Sequence, residues 1–214
     1  MGIERRSPPG RCSVIETFRP ILNMPWAYRM WGSILGAHGY REALAKEHIR
    51  ARQSDRILDV GCGPGSMVDY LPVSEYVGFD ANPDYVKLAQ RRFPEAHFTC
   101  DRVNEYNLPQ TEYFDIVIAL AILHHLDNLE AVQLFRMARR ILKPQGRLIT
   151  LDGVWVTGQP KLAKFLLSRD RGRFVRHADE YVALASTSFS NVNSTVRHDM
   201  LRIPYSHLIL ECRR

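Results

Sequence analysis

Arg56-Ile57-Leu58-Asp59-Val60-Gly61-Cys62-Gly63-Pro64-Gly65 decides how the rest of the chain reads. Ile57, Leu58 and Val60 form the short apolar run of a parallel strand covered on both faces. Gly61, Gly63 and Gly65 follow at once. Three glycines in five residues let the backbone turn sharply and come close to a ligand, where a Cβ would clash. An ordinary strand-to-helix turn does not need so many.

Two kinds of ligand fit a glycine loop after a strand. A dinucleotide site takes G-x-G-x-x-G/A and seats a pyrophosphate on the helix N-terminus. Here the place of the third glycine is Ser66, and the spacing is G-x-G-x-G. Asp59 then separates the two. A carboxylate at the strand's end repels a pyrophosphate and suits a ligand that carries positive charge and no phosphate. S-adenosylmethionine, with its ammonium and sulfonium groups, is such a ligand. At Leu58 to Gly65 the sequence resembles the class I S-adenosylmethionine-dependent methyltransferases.

Outward from this stretch, strands and helices alternate. Strands are predicted over 75–80, 96–101, 113–120 and 147–152. A helix is predicted after each of the first two glycine-loop neighbours, over 66–71 and from Asn82-Pro83, where an N-cap side chain precedes a proline. Asp127-Asn128-Leu129-Glu130 reads as a capping box that opens a helix to about Leu142. Two weaker helices are expected within 154–188, separated by an arginine-rich turn. The strands 191–198 and 205–212 close the chain as an antiparallel hairpin. Before the first strand, helices are expected over 16–37 and 40–52.

This alternation implies a mostly parallel sheet with right-handed crossovers. The expected fold is α/β: a single doubly wound, Rossmann-like domain over 54–214, with a helical N-terminal extension over 1–53. The resemblance implies a seven-stranded, mostly parallel sheet with one antiparallel strand.

Composition sets outer bounds. The 214 residues suit one domain with a sizeable core, and the 45% apolar and 24% charged fractions are ordinary for a soluble protein. Cys12, Cys62, Cys100 and Cys212 are scattered and show no metal or disulfide spacing. No stretch approaches a membrane span, and the first residues lack the apolar core of a secretory signal. A cytoplasmic location is the expectation. The formal charge of +6 leans only mildly toward anionic partners.

In an open α/β sheet a ligand sits beyond the carboxyl ends of the strands. Gly61, Asp80, Asp101, Leu120 and Ala121 all fall at such ends. Asp80 can accept two ribose hydroxyls, a feature shared with dinucleotide enzymes. The resemblance implies a cofactor site of Asp59, Gly61, Cys62, Gly63, Gly65, Asp80, Ala81, Asp101, Arg102, Leu120 and Ala121. Asp101 would meet the adenine amino group, with Arg102 beside the ring. Cys62 and Cys100 would be small packing residues. In small-molecule members of the family the N-terminal segment covers the cofactor, which makes Tyr28 and Arg29 candidates there.

Methyl transfer to a hydroxyl needs a base. His124 and His125 follow the fourth strand at the sheet's carboxyl edge, and histidine titrates near neutrality. The Ile122-Leu123-His124 order resembles phosphoethanolamine methyltransferases, where a histidine works with an N-terminal tyrosine; His124 with Tyr28 is one pairing, and His125 stays open. Asp127, Asp152 and His125 could be drawn as metal ligands, but capping accounts for Asp127 and no metal is expected. The turn from Ser168 to His177, with Arg171 and Arg173, is either a solvated loop or a segment that recognises an anionic acceptor.

The pattern is similar to the family of ubiquinone and menaquinone biosynthesis methyltransferases. It implies methyl transfer to a small-molecule acceptor, O- more than N- or C-methylation. Other readings are an RNA or protein methyltransferase, a non-catalytic S-adenosylmethionine sensor and a dinucleotide oxidoreductase. The Asp/Asn-Pro-Pro-aromatic motif of amino-directed nucleic-acid enzymes is replaced here by Ala121-Ile122-Leu123-His124-His125, so no nucleic-acid partner is expected. The oligomeric state is not legible.

Overall fold

The computed structural model describes residues 37–103, 106, 111–169 and 172–214. Strand β1 (Arg56–Val60) lies mid-sheet between β2 (Glu75–Asp80) and β4 (Phe114–Leu120), both parallel to it. β3 (His97–Cys100) pairs with β2, and β5 (Leu142–Trp155) with β4, again parallel. β7 (Asn191–Arg197) and β8 (His207–Arg213) close the sheet as the expected hairpin. The order is β3-β2-β1-β4-β5-β8-β7. The chain winds one way from β1 and then the other, so the switch point falls between β1 and β4.

The sheet departs from the expected seven strands with one antiparallel strand. Among the described residues it has eight strands and two antiparallel pairs, both made by β8, one with β5 and one with β7. The extra strand, β6 (Arg176–His177), is two residues long and pairs with Val154 and Trp155. Its shortness hides it from a period-2 pattern. It also explains why β5 outruns its predicted end at 152. At the other end β5 starts five residues early, because Leu142 pairs with Phe114 across an irregularity before the register resumes at Ile116 and Arg147.

Strand alternation sends side chains to both faces, and helices cover both. On one face Leu58, Val60, Val117 and Leu148 pack with Leu134, Phe135 and Ala138 of α3 (Asn128–Ile141) and with Tyr181 of α5 (Ala178–Ser186). On the other, Ile57, Ile116, Ile118 and Ile149 pack with Val86 and Ala89 of α2 (Pro83–Arg92) and with Leu44 and Ile49. Those last two lie on a π-helical turn, Leu44–Ile49, that continues α1 (Ala37–Ala43). The predicted helix over 16–37 lies outside the described residues up to 36. The expected helix over 66–71 is a single 3-10 turn, Val68–Tyr70, stopped by Pro72. α4 (Lys161–Ser168) lies between β5 and β6.

Caps fall where the sequence places them. Asn82 accepts from the Asp84 amide at 2.9 Å. Asp127 accepts from the Glu130 amide at 2.9 Å while Glu130 accepts from the Asp127 amide at 3.1 Å, closing the capping box.

One close contact fixes how the glycine loop sits on the sheet. A Cβ added at Gly78 in β2 would lie 2.9 Å from the Cys62 Cβ and 3.0 Å from its Sγ. Cys62 therefore rests on a glycine. Gly78→Ala should destabilise the fold by about 1–3 kcal/mol through overpacking, read as a fall in thermal midpoint; an unchanged midpoint would contradict this contact.

Candidate functional site

The glycine loop is tied down at the carboxyl end of β2. Gly61 and Cys62 both donate their amides to the Phe79 carbonyl, at 2.9 and 3.0 Å. Gly63 donates to Asp80 Oδ2 at 2.9 Å, and Asn82 donates to Asp80 Oδ1 at 2.8 Å. Each Asp80 oxygen thus holds one backbone N–H and keeps lone-pair capacity for another donor. Gly63 has φ of 52°, and a Cβ there would meet nothing within 4 Å. The backbone is open to a ligand at that point.

The loop after β4 leans on the glycine loop. A Cβ on Gly61 would lie 2.6 Å from Ile122 Cδ1. Just before Ile122, Ala121 sits at φ 57°, left-handed without being glycine. Such a residue costs about 1–2 kcal/mol. It is held by its amide, which donates to the Leu151 carbonyl at 2.7 Å.

The three acids behave differently. Asp80 is half-buried, and burial raises its pKa against the two backbone donors. Asp101 is half-buried and Arg102 exposed at the end of β3. Asp59 is 3% exposed and accepts a short hydrogen bond from the Tyr76 hydroxyl. Burial pushes its pKa up to about 7, opposed by Tyr76 and assisted by the charge on Asp80. Asp59 bridges β1 to β2 inside the fold. Burial also drives the Cys62 thiol well above its ordinary pKa, which suits packing rather than nucleophilic chemistry.

Sequence reasoning passes over Tyr106, whose ring stacks on Phe79 at 3.9 Å and 20°. Burial, with the nearby Asp101 charge, raises its phenol to about 12, so it is a neutral aromatic surface at the end of β2. An aromatic in a polar loop gives no periodic signal.

The second cluster lies one strand over. His124 is 4% exposed, and its Nδ1 lies 2.8 Å from Asp152 Oδ1. The same oxygen accepts the His124 amide at 3.2 Å. Asp152 is 2% exposed, burial raises its pKa, and its Oδ2 is buried with no hydrogen-bond partner among the described residues. The exposed His125 ring packs on His124, with centroids 4.2 Å apart. Sequence reasoning sees Asp152 only as a possible metal ligand; its place at the carboxyl end of β5, beside β4, is the signal that pairs it with His124.

Arg176 fixes the frame around His124. Buried at 6% exposure, it donates to the carbonyls of Leu123 at 3.0 Å, Leu126 at 2.8 Å and Phe174 at 2.9 Å, and to Asn128 Oδ1 at 2.9 Å. The Phe174 amide donates to the His124 carbonyl at 3.0 Å. Gly172 is so close that a Cβ there would lie 2.1 Å from His124 Cδ2. Of the arginine-rich turn, Arg169 lies over Phe165, Arg173 is exposed and Arg171 lies outside the described residues. Tyr28 and Arg29 also lie outside them.

Gly61, Gly63, Asp80, Ala81, Asp101, Leu120 and Ala121 are thus gathered at one sheet edge, with His124 and Asp152 beside them. The fold is that of the class I S-adenosylmethionine-dependent methyltransferases. Residues 58–150 match a family model described as a methyltransferase domain. The chain is 35% identical over 103 residues to the phthiotriol/phenolphthiotriol dimycocerosates methyltransferase of Mycobacterium leprae, covering 45% of this chain and 37% of that protein. It is 31% identical over 108 residues to the ubiquinone biosynthesis O-methyltransferase of Bradyrhizobium diazoefficiens, covering 47% and 41%. The chain therefore spans less than half the length of these relatives. The phosphoethanolamine N-methyltransferase 2 of Haemonchus contortus, solved with phosphomonomethylethanolamine and S-adenosylhomocysteine, superposes with a TM-score of 0.72 over 91% of this chain and 58% of that one, at 14% identity. The chain is similar in the same way to the 27-O-demethylrifamycin SV methyltransferase of Amycolatopsis mediterranei, 35% identical over 109 residues, covering 47% of this chain and 39% of that protein.

The raised Asp59 pKa has a measurable sign. The folded state keeps this proton up to about pH 7, whereas an unfolded carboxyl loses it near 4. The native chain should lose stability relative to Asp59→Asn as pH rises through that window. Thermal midpoints at pH 5 and pH 8 check this: the difference should shift in favour of Asp59→Asn at pH 8, and a constant difference would contradict it.

Proposed function

We propose that the chain transfers a methyl group from S-adenosylmethionine to a small-molecule acceptor, at an oxygen. The observation that carries this is the Asp80 carboxylate, held by the Gly63 and Asn82 amides beside an open glycine backbone. The residues present fit this cofactor. Gly63 leaves the room a Cβ would fill, and the Asp80 carboxylate beside it keeps lone-pair capacity for hydroxyl donors. Asp80 would take the ribose hydroxyls, Ala81 and Asp101 would flank the adenine with Arg102 at its rim, and Gly61, Gly65, Leu120 and Ala121 would border the methionine end.

When bound, the cofactor supplies a methyl group on a sulfonium, already activated for in-line displacement. What the chain adds is position and a base. Asp152 Oδ1 accepts from His124 Nδ1–H, which fixes the ring and leaves Nε2 as the nitrogen that takes the acceptor's hydroxyl proton. Arg176 and the Phe174 amide keep the His124 backbone in place. Asp152 is thus a positioning residue, and His124 the base. His125 is the exposed alternative. This choice of an oxygen acceptor follows the imidazole, and the O-methyltransferase among the relatives supports it.

Methyl-labelled S-adenosylmethionine, incubated with the chain and with separated pools of small molecules, lipids, RNA and protein, tests the proposal. Label should appear in a small-molecule or lipid fraction. With the labelled acceptor in hand, His124→Ala and Asp152→Asn should each lower kcat about 100-fold or more with cofactor Kd unchanged, and Asp152→Asn should move the pH profile. Label only in RNA or protein, or both variants turning over at the native rate, would overturn the assignment.

A further inference from the structure

Away from the cofactor edge, α3 ends on a group of arginines. Arg136, Arg139 and Arg140 stand at i, i+3 and i+4, so they are neighbours on one stretch of helix surface. All three are exposed, and none makes an ion pair or a side-chain hydrogen bond among the described residues. Like charges at this spacing repel and weaken a helix. The negative end of the helix dipole offsets this for Arg139 and Arg140, in the last turn. Arg136 lies a turn earlier and has no such compensation. The only acid on α3 is Glu130, in the first turn and already engaged in the capping box.

The three arginines line an open pocket of about 350 Å³. Its other members are Thr187 and Ser188, just after α5, and Arg214, just after β8. Among the described residues no carboxylate and no wholly apolar side chain lines it.

The far walls are held in place. Arg214 donates through Nη2 to Glu112 Oε1 at 2.6 Å, through Nη1 to the Leu142 carbonyl, and through its amide to the Gly146 carbonyl at 3.1 Å. A guanidinium has five N–H donors, so this one keeps some for a ligand. Thr187 Oγ1 commits its hydrogen to the Leu184 carbonyl at 2.7 Å. Ser188 Oγ lies 3.5 Å from Thr187 Oγ1, too far for a strong bond, so its hydroxyl remains a donor. Phe189, 1% exposed, anchors this turn in the core.

Register fixes where the pocket lies. β8 runs antiparallel to β5, with His207 opposite Gly153 and Arg213 opposite Arg147. α3 likewise ends where β5 begins, at Leu142. The pocket is therefore at the opposite end of the sheet from Asp80, His124 and Asp152.

We propose that this pocket is an anion site for a diphosphate group. Guanidinium forks match phosphate oxygens in both geometry and charge. Three unpaired guanidinium groups, with Arg214 as a fixed fourth and a hydroxyl donor, exceed what one carboxylate or one monophosphate neutralises. With no apolar wall among the described residues, the diphosphate itself is the part recognised. Free pyrophosphate and a diphosphate carried by a nucleotide present the same chemistry here. The inference goes beyond methyl transfer and does not depend on it.

The test uses the full chain labelled for amide NMR, in about 0.15 M salt, which screens diffuse attraction. Inorganic pyrophosphate should give saturable shifts at the Arg140, Thr187 and Ser188 amides. Orthophosphate should bind there at least about tenfold more weakly, the scale of lost hydrogen bonds to a charged group. The Arg136→Gln, Arg139→Gln double variant should lose pyrophosphate affinity by at least about tenfold on the same grounds, with its thermal midpoint unchanged. A Lys161→Gln, Lys164→Gln variant, which removes two exposed cations from α4, should bind pyrophosphate as the native chain does. ADP, read at the same three amides, separates the sources. Binding at least as tight as that of pyrophosphate supports a nucleotide-borne diphosphate, and weaker binding supports the free anion. No saturable shift, equal affinity for orthophosphate, an unaffected arginine variant or an equal loss in the lysine variant would overturn the inference. Tighter binding of a single-stranded oligonucleotide than of pyrophosphate would also overturn it, by assigning the surface to a polynucleotide.

Discussion

The carboxylate of Asp80 is the constraint on which the candidate site depends. It lies half-buried at the end of β2, where a charge needs donors, and the two nearest are backbone N–H groups of Gly63 and Asn82. Meeting both requires the glycine loop to bend back from β1 over β2. It also requires α2 to start at Asn82 rather than further on. The Phe79 carbonyl takes the Gly61 and Cys62 amides in the same bend. One acid therefore sets the entrance of the cleft and the start of a helix together.

A second set of bonds holds the other side of the cleft. Arg176 gathers the carbonyls on both sides of the two histidines, so the loop after β4 cannot settle independently of β6. Asp152 binds His124 through both its ring and its amide. Ala121, in left-handed backbone, links this loop to β5, and Ile122 packs against Gly61. The cofactor edge and the imidazole are thereby parts of one rigid assembly. Such preorganisation is what an in-line transfer asks of a protein, because the cofactor already carries the activated carbon.

Most of the fold was legible because its signals are local. The apolar run into three glycines, the Asn82-Pro83 start and the Asp127–Glu130 box each place an element within a residue or two of where it lies. The misses share a physical cause. β6 is too short to show a period, and β5 is extended by partners far away in sequence rather than by its own pattern. The segment 66–71 has helix-compatible residues, yet Gly65 and Pro72 leave it only one tight turn. In the site, the strand-end acids could be read from spacing. Asp59 could be located but not its setting, since its partner Tyr76 comes from the neighbouring strand. Asp152 and Arg176 act across 28 and 53 residues of sequence, and pairing at that range is decided by topology alone.

Equilibrium binding of S-adenosylmethionine to the native chain and to Asp80→Asn tests most directly whether the Asp80 carboxylate holds the cofactor. Asparagine keeps the shape but replaces one acceptor oxygen with a donor, which sets an N–H against either the Gly63 or the Asn82 amide and removes the carboxylate's charge. The native protein should bind saturably and the variant at least about tenfold more weakly, with a cooperative thermal transition retained. Equal affinity in the two proteins, or no binding by the native chain, would contradict it.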